Sequence, residues 1–349
     1  MLSMAAMSDF SRILILQGRE IGDVLLSTPL VRVVREAFPK ARIDYYVEPQ
    51  ACPMIERNPH IDRLVTRDQT GGSGFFSDWK RLRHVSYDLV IDLLFNSRTA
   101  ILCRSALPDA IRLSFAGRWR SQWYSHVAPI EELYAGFAKQ LVLVPLQIVP
   151  KRYRPELVIE DGLVMSIANE INGWGIGAGN PLVVIDMTHK DRLRRWPAER
   201  YRQLADQLVE KRGVVAIFVY GPGEESYVRD ALGGGPGTHI IPPRQLDLYD
   251  LAALLSLADL LIGNCSAPRH IAVAQQTPTL VMHGASSPIR FTFPDEWNRY
   301  LAATPGGVTT AVDATAWVPG DIRKISLEQA LEEAIRLLDD WVISAKRSR

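Results

Sequence analysis

The stretch Arg12–Phe38, RILILQGREIGDVLLSTPLVRVVREAF, decides the fold. Ile13, Leu14, Ile15 and Leu16 form an unbroken aliphatic run of the kind buried in a parallel sheet. Gly18 and Gly22 then turn the chain, and Asp23 opens an amphipathic helix. In parallel α/β sheets such strand–turn–helix corners lie at the carboxyl ends of the strands, where ligands bind. Asp23 thus has two readings: an N-cap accepting from free helix amides, or a member of a binding site. Gly18-Arg-Glu-Ile-Gly22 lacks the dinucleotide spacing, and no Gly-Lys-Ser/Thr follows. A nicotinamide dehydrogenase and a phosphate-loop ATPase are both disfavoured.

The alternation continues outward. Ala41–Val47 reads as a strand, Ala51–Asn58 as a helix, Arg63–Val65 as a short strand and Gln69–Gly74 as a flexible break before a helix at Trp79–His84. Tyr87–Phe95 is an apolar strand closing on Asn96, Ser97 and Arg98. Lys151–Gly179 has the proline and glycines of a handover, which puts a domain boundary near Gly173–Asn180. Strand and helix then restart at Pro181–Met187, Ala198–Arg212, Val214–Tyr220, Leu248–Ala258, Asp259–Gly263 and Thr279–Met282, and Ile325–Ile343 is a last amphipathic helix. The expected class is α/β, with two doubly wound domains over residues 1–175 and 176–349.

Composition narrows the function. Of 349 residues 23% are charged and the formal net charge is +1, so nothing calls for a nucleic-acid partner. The three cysteines, Cys52, Cys103 and Cys265, have no Cys-x-x-Cys spacing, which points to reduced thiols in a cytoplasmic setting and away from structural zinc. MLSMAAMSDFSR lacks both a basic n-region and a sustained apolar core, and no signal peptide or membrane span is expected.

Four segments can carry chemistry. Arg112, Arg118 and Arg120 alternate with Phe115, Trp119 and Trp123, either as a solvated loop or as a pocket for an anionic or sugar-bearing group. Thr188–Pro197 concentrates Lys190, Arg192, Arg194 and Arg195 directly after a strand, as a basic loop or as cations for a diphosphate. Gly221-Pro-Gly-Glu224 is an everyday turn or a close approach to a ribose. Gly263–His270 runs from a strand end through Ser266 and Pro268 into a helix, where free amides suit an anion; His270 is a core residue or a ligand-binding one. There is no Asp-x-Asp pair and no His/Cys cluster at ligand spacing, so no metal is expected.

Taken in order, these segments resemble glycosyltransferase family 9, the ADP-heptose:lipopolysaccharide heptosyltransferases. The similarity rests on IGDVLLSTPLVRVVREAFPKARIDYYVEP, ERNPHIDRLV, YDLVIDLLFNSRTA, RRWPAERYRQLADQL, YGPGEE and LAALLSLADLLIGNCSAPRHIAVAQQTPTLVMHGASSP. The Ser-Ala-Pro-x-His form and RSQWYSHVAP look more like the heptosyltransferase III side-branch subgroup. The resemblance implies a GT-B arrangement of two Rossmann-like domains across a cleft, the first binding acceptor and the second the nucleotide sugar. It implies inverting transfer of heptose from ADP-heptose to inner-core lipopolysaccharide without metal or other cofactor. Asp23 matches the proposed catalytic base, Arg194 a diphosphate-binding lysine, Glu224 a ribose-binding glutamate, and Ser266, Ala267 and His270 the phosphate turn. Thr188, Gly221 and Cys265 complete the expected donor site, and Gly22, Asn96, Arg98, Arg118 and Arg120 the expected acceptor site. Two departures stand out: Arg194 replaces lysine, and Cys265 replaces the family's usual aspartate. Alternatives are another nucleotide sugar, a non-lipid glycan acceptor, or a binding protein on a degenerate transferase fold. A lipid-linked acceptor adds the expectation of a peripheral contact with the inner membrane.

Overall fold

The structure, a computed structural model, describes residues 10–18, 20–117, 119–174, 179–233, 239–313 and 317–347, with side chains at all of these except 71–72 and 342–347. The chain divides into two compact units, Met1–Val158 and Ile159–Arg349.

The first unit is built on six parallel strands: β1 (Arg12–Leu16), β2 (Arg42–Val47), β3 (Arg63–Thr66), β4 (Leu89–Asp92), β5 (Ile111–Phe115) and β6 (His126–Ala128). Their order, β3-β2-β1-β4-β5-β6, is that of a Rossmann domain, and the order reverses between β1 and β4. Helices α1 (Ile21–Leu25), α2 (Thr28–Ala37), α3 (Gly71–Arg83), α4 (Ser97–Ala106) and α5 (Ala135–Ala138) make the connections. The single helix expected from Asp23 onward is two. Ser27 precedes α2 as its N-cap, Pro29 lies in the first turn of α2, and the Ser27 hydroxyl donates to Val24 O at 2.7 Å, closing α1. Asp23 lies inside α1 and is not its N-cap; Glu20 is. The expected break at Gln69–Gly74 is in part helical, because α3 begins at Gly71.

The second unit repeats the architecture with β7 (Leu182–Asp186), β8 (Val215–Phe218), β9 (His239–Ile240), β10 (Leu260–Asn264), β11 (Thr279–His283), β12 (Asn298–Thr304) and β13 (Gly307–Thr309). The order β13-β12-β11-β10-β7-β8-β9 is the same Rossmann order with one antiparallel strand, β13, added at the edge. Its helices are α6 (Asp161–Gly173), α7 (Ala198–Arg212), α8 (Glu225–Leu232), α9 (Leu248–Leu257), α10 (Ala267–Ala274), α11 (Pro288–Phe291) and α12 (Leu327–Arg347). The division at Val158 falls before α6, whereas the sequence puts it after. The reason is packing: α6 buries Ile167 and Ile171, lies on α9, and its Glu170 pairs with Arg244 at 2.8 Å. Among the described residues, no helix is long and apolar enough to cross a membrane.

The core of this unit gathers around Trp196, which is fully buried. Its indole N–H donates to Ile325 O at 2.9 Å, and its ring meets Tyr201 edge-on at 4.9 Å between centroids. This one side chain joins the loop after β7 to α7 and to the approach to α12. Trp196→Ala should therefore cost about 3–5 kcal/mol, read as a fall in the unfolding midpoint of the full chain.

Candidate active site

The reversal of strand order in the second unit falls between β7 and β10, where a parallel sheet opens a crevice at its carboxyl edge. Both strands end on buried polar side chains, Asp186 and Asn264. Gly263 lets the strands approach: a Cβ there would stand 2.9 Å from Asp186 O. Asn264 Oδ1 accepts from Trp196 N–H at 3.0 Å and from Tyr201 O–H at 3.0 Å, while its Nδ2 donates to Thr188 O at 3.3 Å. That amide fixes the path of the loop bearing Thr188 and Arg194.

Asp186 Oδ1 accepts from Thr188 N–H at 3.1 Å and from the Thr188 hydroxyl at 2.9 Å, and its Oδ2 accepts from the Ser266 hydroxyl. Burial pushes its carboxyl up to about 6 against the pull of these bonds. Ser266 is the N-cap of α10 but makes no side-chain cap, so its hydroxyl leaves the first-turn amides of Ala267 and Arg269 to other acceptors. Cys265 is buried, and its carbonyl meets His189 Nε2 at 3.1 Å. Burial, then the nearby Arg194, holds His189 below the usual imidazole range. Arg194 closes a 3-10 turn, Arg192–Arg194, with its side chain 37% exposed and Nε 3.6 Å from Asp191 Oδ2. It is a cation with a loose partner and room to move. Arg195 is differently placed, donating to His189 O and lying over Tyr227. After β8, Glu224 Oε2 accepts from Gly221 N–H at 3.0 Å, and Gly223 takes φ +78, a left-handed turn that favours glycine. His270 is buried on α10, with Nε2 3.1 Å from Arg269 Nη2.

In the first unit, Asp23 follows the end of β1 at that sheet's own reversal, half-buried, with Lys139 Nζ 3.3 Å from Oδ1. Gly22 is its neighbour in α1. Gln17, just after β1, is buried, and its Oε1 has no hydrogen-bond partner among the described residues. Asn96 caps α4 in a reciprocal box with Thr99, and Arg98 donates to the fully buried Asp78 at 2.8 Å, so both have structural work to do. Arg112 donates to the carbonyls of Leu107, Pro108, Ala110 and Trp123. Arg120 stacks 4.8 Å from the Phe95 ring centre, and Arg118 lies outside the described residues. A cavity of about 360 Å³ opens elsewhere, near Thr304, Val312 and Trp317, and contains none of these groups.

The profile of glycosyltransferase family 9 (heptosyltransferase) matches residues 75–302. The chain belongs to this family. It is 28% identical over 279 residues to lipopolysaccharide heptosyltransferase 3 of Escherichia coli K12, covering 76% of this chain and 80% of that one. The glycosyl transferase family 9 structure from Veillonella parvula superposes with a TM-score of 0.83 at 23% identity, over 95% of this chain and 98% of that one. E. coli heptosyltransferase WaaC with ADP-2-deoxy-2-fluoro heptose gives 0.69 at 16% identity, over 93% and 99%. The fold is thus the GT-B fold of these glycosyltransferases, and the side-branch resemblance agrees with the heptosyltransferase 3 relative. Among the described residues of this family 9 enzyme, no group of three or more His, Cys, Asp or Glu side chains is placed to hold a metal ion.

The sequence missed Asp186, Asn264, Gln17 and Lys139. Asp186 and Asn264 close aliphatic runs and read as strand ends; the available signal was a polar residue at the last buried position of a parallel strand. Asn264→Leu should lower stability by about 2–4 kcal/mol, because it strands the Trp196 N–H and the Tyr201 hydroxyl without water, and chemical denaturation measures it.

Proposed function

We propose that this enzyme transfers a heptose from ADP-heptose to a hydroxyl of inner-core lipopolysaccharide, with inversion and without a metal. The observation that carries the reading is the convergence at one strand reversal of Thr188, Ser266, the uncapped start of α10 and Arg194. A serine hydroxyl, helix amides and a guanidinium are groups that hold a diphosphate and stabilise its departure, and Thr188 shapes that corner through its bond to Asp186. Ala267 and His270 belong to the same turn, Cys265 faces the sugar side, and Gly221 with Glu224 receives the ribose. The donor's identity follows the heptosyltransferase relatives.

In this reading Asp23 accepts the proton of the acceptor hydroxyl as that oxygen bonds to the anomeric carbon and the C–O bond to the diphosphate breaks. The leaving ADP carries away the electron pair, and Arg194 and the α10 amides balance the developing charge. Lys139 holds Asp23 in one orientation. Gly22, Asn96, Arg98, Arg118 and Arg120 serve the acceptor, of which Arg120 on its aromatic platform suits an anionic sugar group best. A peripheral contact with the membrane that carries the acceptor belongs to the same proposal.

Cys265 favours a second reading, transfer from another nucleotide sugar, since a thiol cannot accept sugar hydroxyls as a carboxylate does. A thermal-shift screen of ADP-heptose against other nucleotide sugars separates the two, because a ligand of the folded state raises the melting temperature.

Asp23→Asn should abolish transfer to truncated core lipopolysaccharide while nucleotide-sugar affinity stays within about twofold; turnover near the wild-type rate removes Asp23 from the mechanism. Arg194→Ala should weaken ADP binding about tenfold or more by calorimetry, and unchanged affinity counts against its role.

A further inference from the structure

Both hydroxyls at the proposed donor turn are committed to one carboxylate. Thr188 donates its only hydroxyl proton to Asp186 Oδ1, and Ser266 donates its own to Oδ2. While Asp186 is an anion, the two oxygens present only lone pairs to a ligand. That polarity is wrong for a diphosphate, which needs protons pointing at it. An ionised Asp186 also sets a buried negative charge beneath the same turn, and among the described residues it has no ion-pair partner.

We propose that Asp186 is a positioning residue for donor binding, and that the nucleotide sugar binds the form in which Asp186 is protonated. The inference rests on the donor reading of the Ser266 turn. A protonated Asp186 donates through Oδ2 to Ser266 Oγ, and the Ser266 proton swings outward to a phosphate oxygen. Thr188 keeps its bond to Oδ1. One proton is taken up, no bond between heavy atoms changes, and Ser266 changes from a spent hydroxyl to a phosphate ligand.

The groups around the carboxyl agree with this. Glu224, on the turn after β8, adds negative charge and favours the protonated acid. Tyr201 on α7 is buried and stays neutral, its phenol held well above the usual range by burial and then by Asp186 itself. Ser266 faces it from the turn after β10, and Thr188 follows it on its own loop. His189, next in that loop, is held below the usual imidazole range by burial and then by Arg194, a half-exposed cation beyond it, and Arg269 adds a buried one in the first turn of α10. Burial with the proximity of Glu224 sets the free carboxyl at about 6, so the switch lies within the working pH of a cell. A bound diphosphate raises it further, and by linkage binding must then draw in a proton.

The test is calorimetry on the full chain with ADP-2-deoxy-2-fluoroheptose, whose diphosphate keeps one charge state from pH 5.5 to 8.5. The dissociation constant should be level below about pH 6 and then rise toward tenfold per pH unit. At pH 7.5, heats measured in two buffers of different ionisation enthalpy should report uptake of about one proton per ligand. Asp186→Asn offers Ser266 the same donated hydrogen bond at every pH. Its affinity should be level across the range, with no proton uptake, and at pH 8 about tenfold or more tighter than the wild type. A level wild-type profile without proton uptake overturns the inference, and so does a pH slope that survives in Asp186→Asn. Should that variant not fold, the wild-type proton count decides alone. Absence of binding at every pH removes the donor reading and this inference with it, whereas tight binding without a proton removes the inference only.

Discussion

A buried parallel strand has its backbone paired along its length, but where it leaves the sheet the first N–H groups of the following loop have neither a neighbouring strand nor water. In both units an aspartate at the last strand position answers this. Asp92 ends β4 and accepts from Leu94 N–H at 3.0 Å, Phe95 N–H at 3.1 Å and the Tyr124 hydroxyl at 2.6 Å. Asp186 ends β7 and does the same for Thr188 and Ser266. The strands themselves are alike, Leu-Val-Ile-Asp at 89–92 and Val-Val-Ile-Asp at 183–186. Desolvation raises both carboxyls, so each loop is held by a group that is costly to keep charged.

The two corners diverge in what else they hold. At Asp92 the partners are the Tyr124 phenol, two backbone N–H groups and the Thr99 hydroxyl, and Phe95 takes φ +45 with Gly117 against its ring. That corner is a packed aromatic support for Arg120. At Asp186 the partners are two small hydroxyls and the start of a helix, which leaves the corner polar and able to exchange one set of hydrogen bonds for another.

Much of the fold was legible because parallel strands are apolar on both faces: β1 and β7 stand out as aliphatic runs, and strand–helix alternation gives a doubly wound parallel sheet without its strand order. Helix ends were less legible. The break between α1 and α2 depends on a side-chain bond from Ser27, and the placement of α6 depends on contacts with α9, which is distant in sequence. The turn residues after β1, β7, β8 and β10 were readable from position alone. Arginine roles were not, because a sequence gives charge without partners. Arg98 pairs with Asp78, Arg112 binds carbonyls and Arg195 binds His189 O, while Arg194 lies at the surface of the turn.

The same subtraction brings out Arg269, which pattern reading passed over as one residue of an apolar helix. It is 1% exposed and among the described residues has no ion-pair partner; its guanidinium donates to His283 Nε2 at 3.3 Å and His270 Nε2 at 3.1 Å and lies 5.8 Å from the Phe291 ring centre. For His283 Nε2 to accept, that ring must be neutral with its proton on Nδ1, which faces Ser286. Burial and the adjacent Arg269 hold it so, well below the usual imidazole range. Removing a guanidinium from water against imidazole and aromatic rings makes it a poor device for stability. Its location in the first turn of α10 adds a fixed positive charge to the positive end of the helix dipole. The positive charge at this turn therefore includes a group locked inside the unit, where salt screens it little, which is what a preorganised anion site requires.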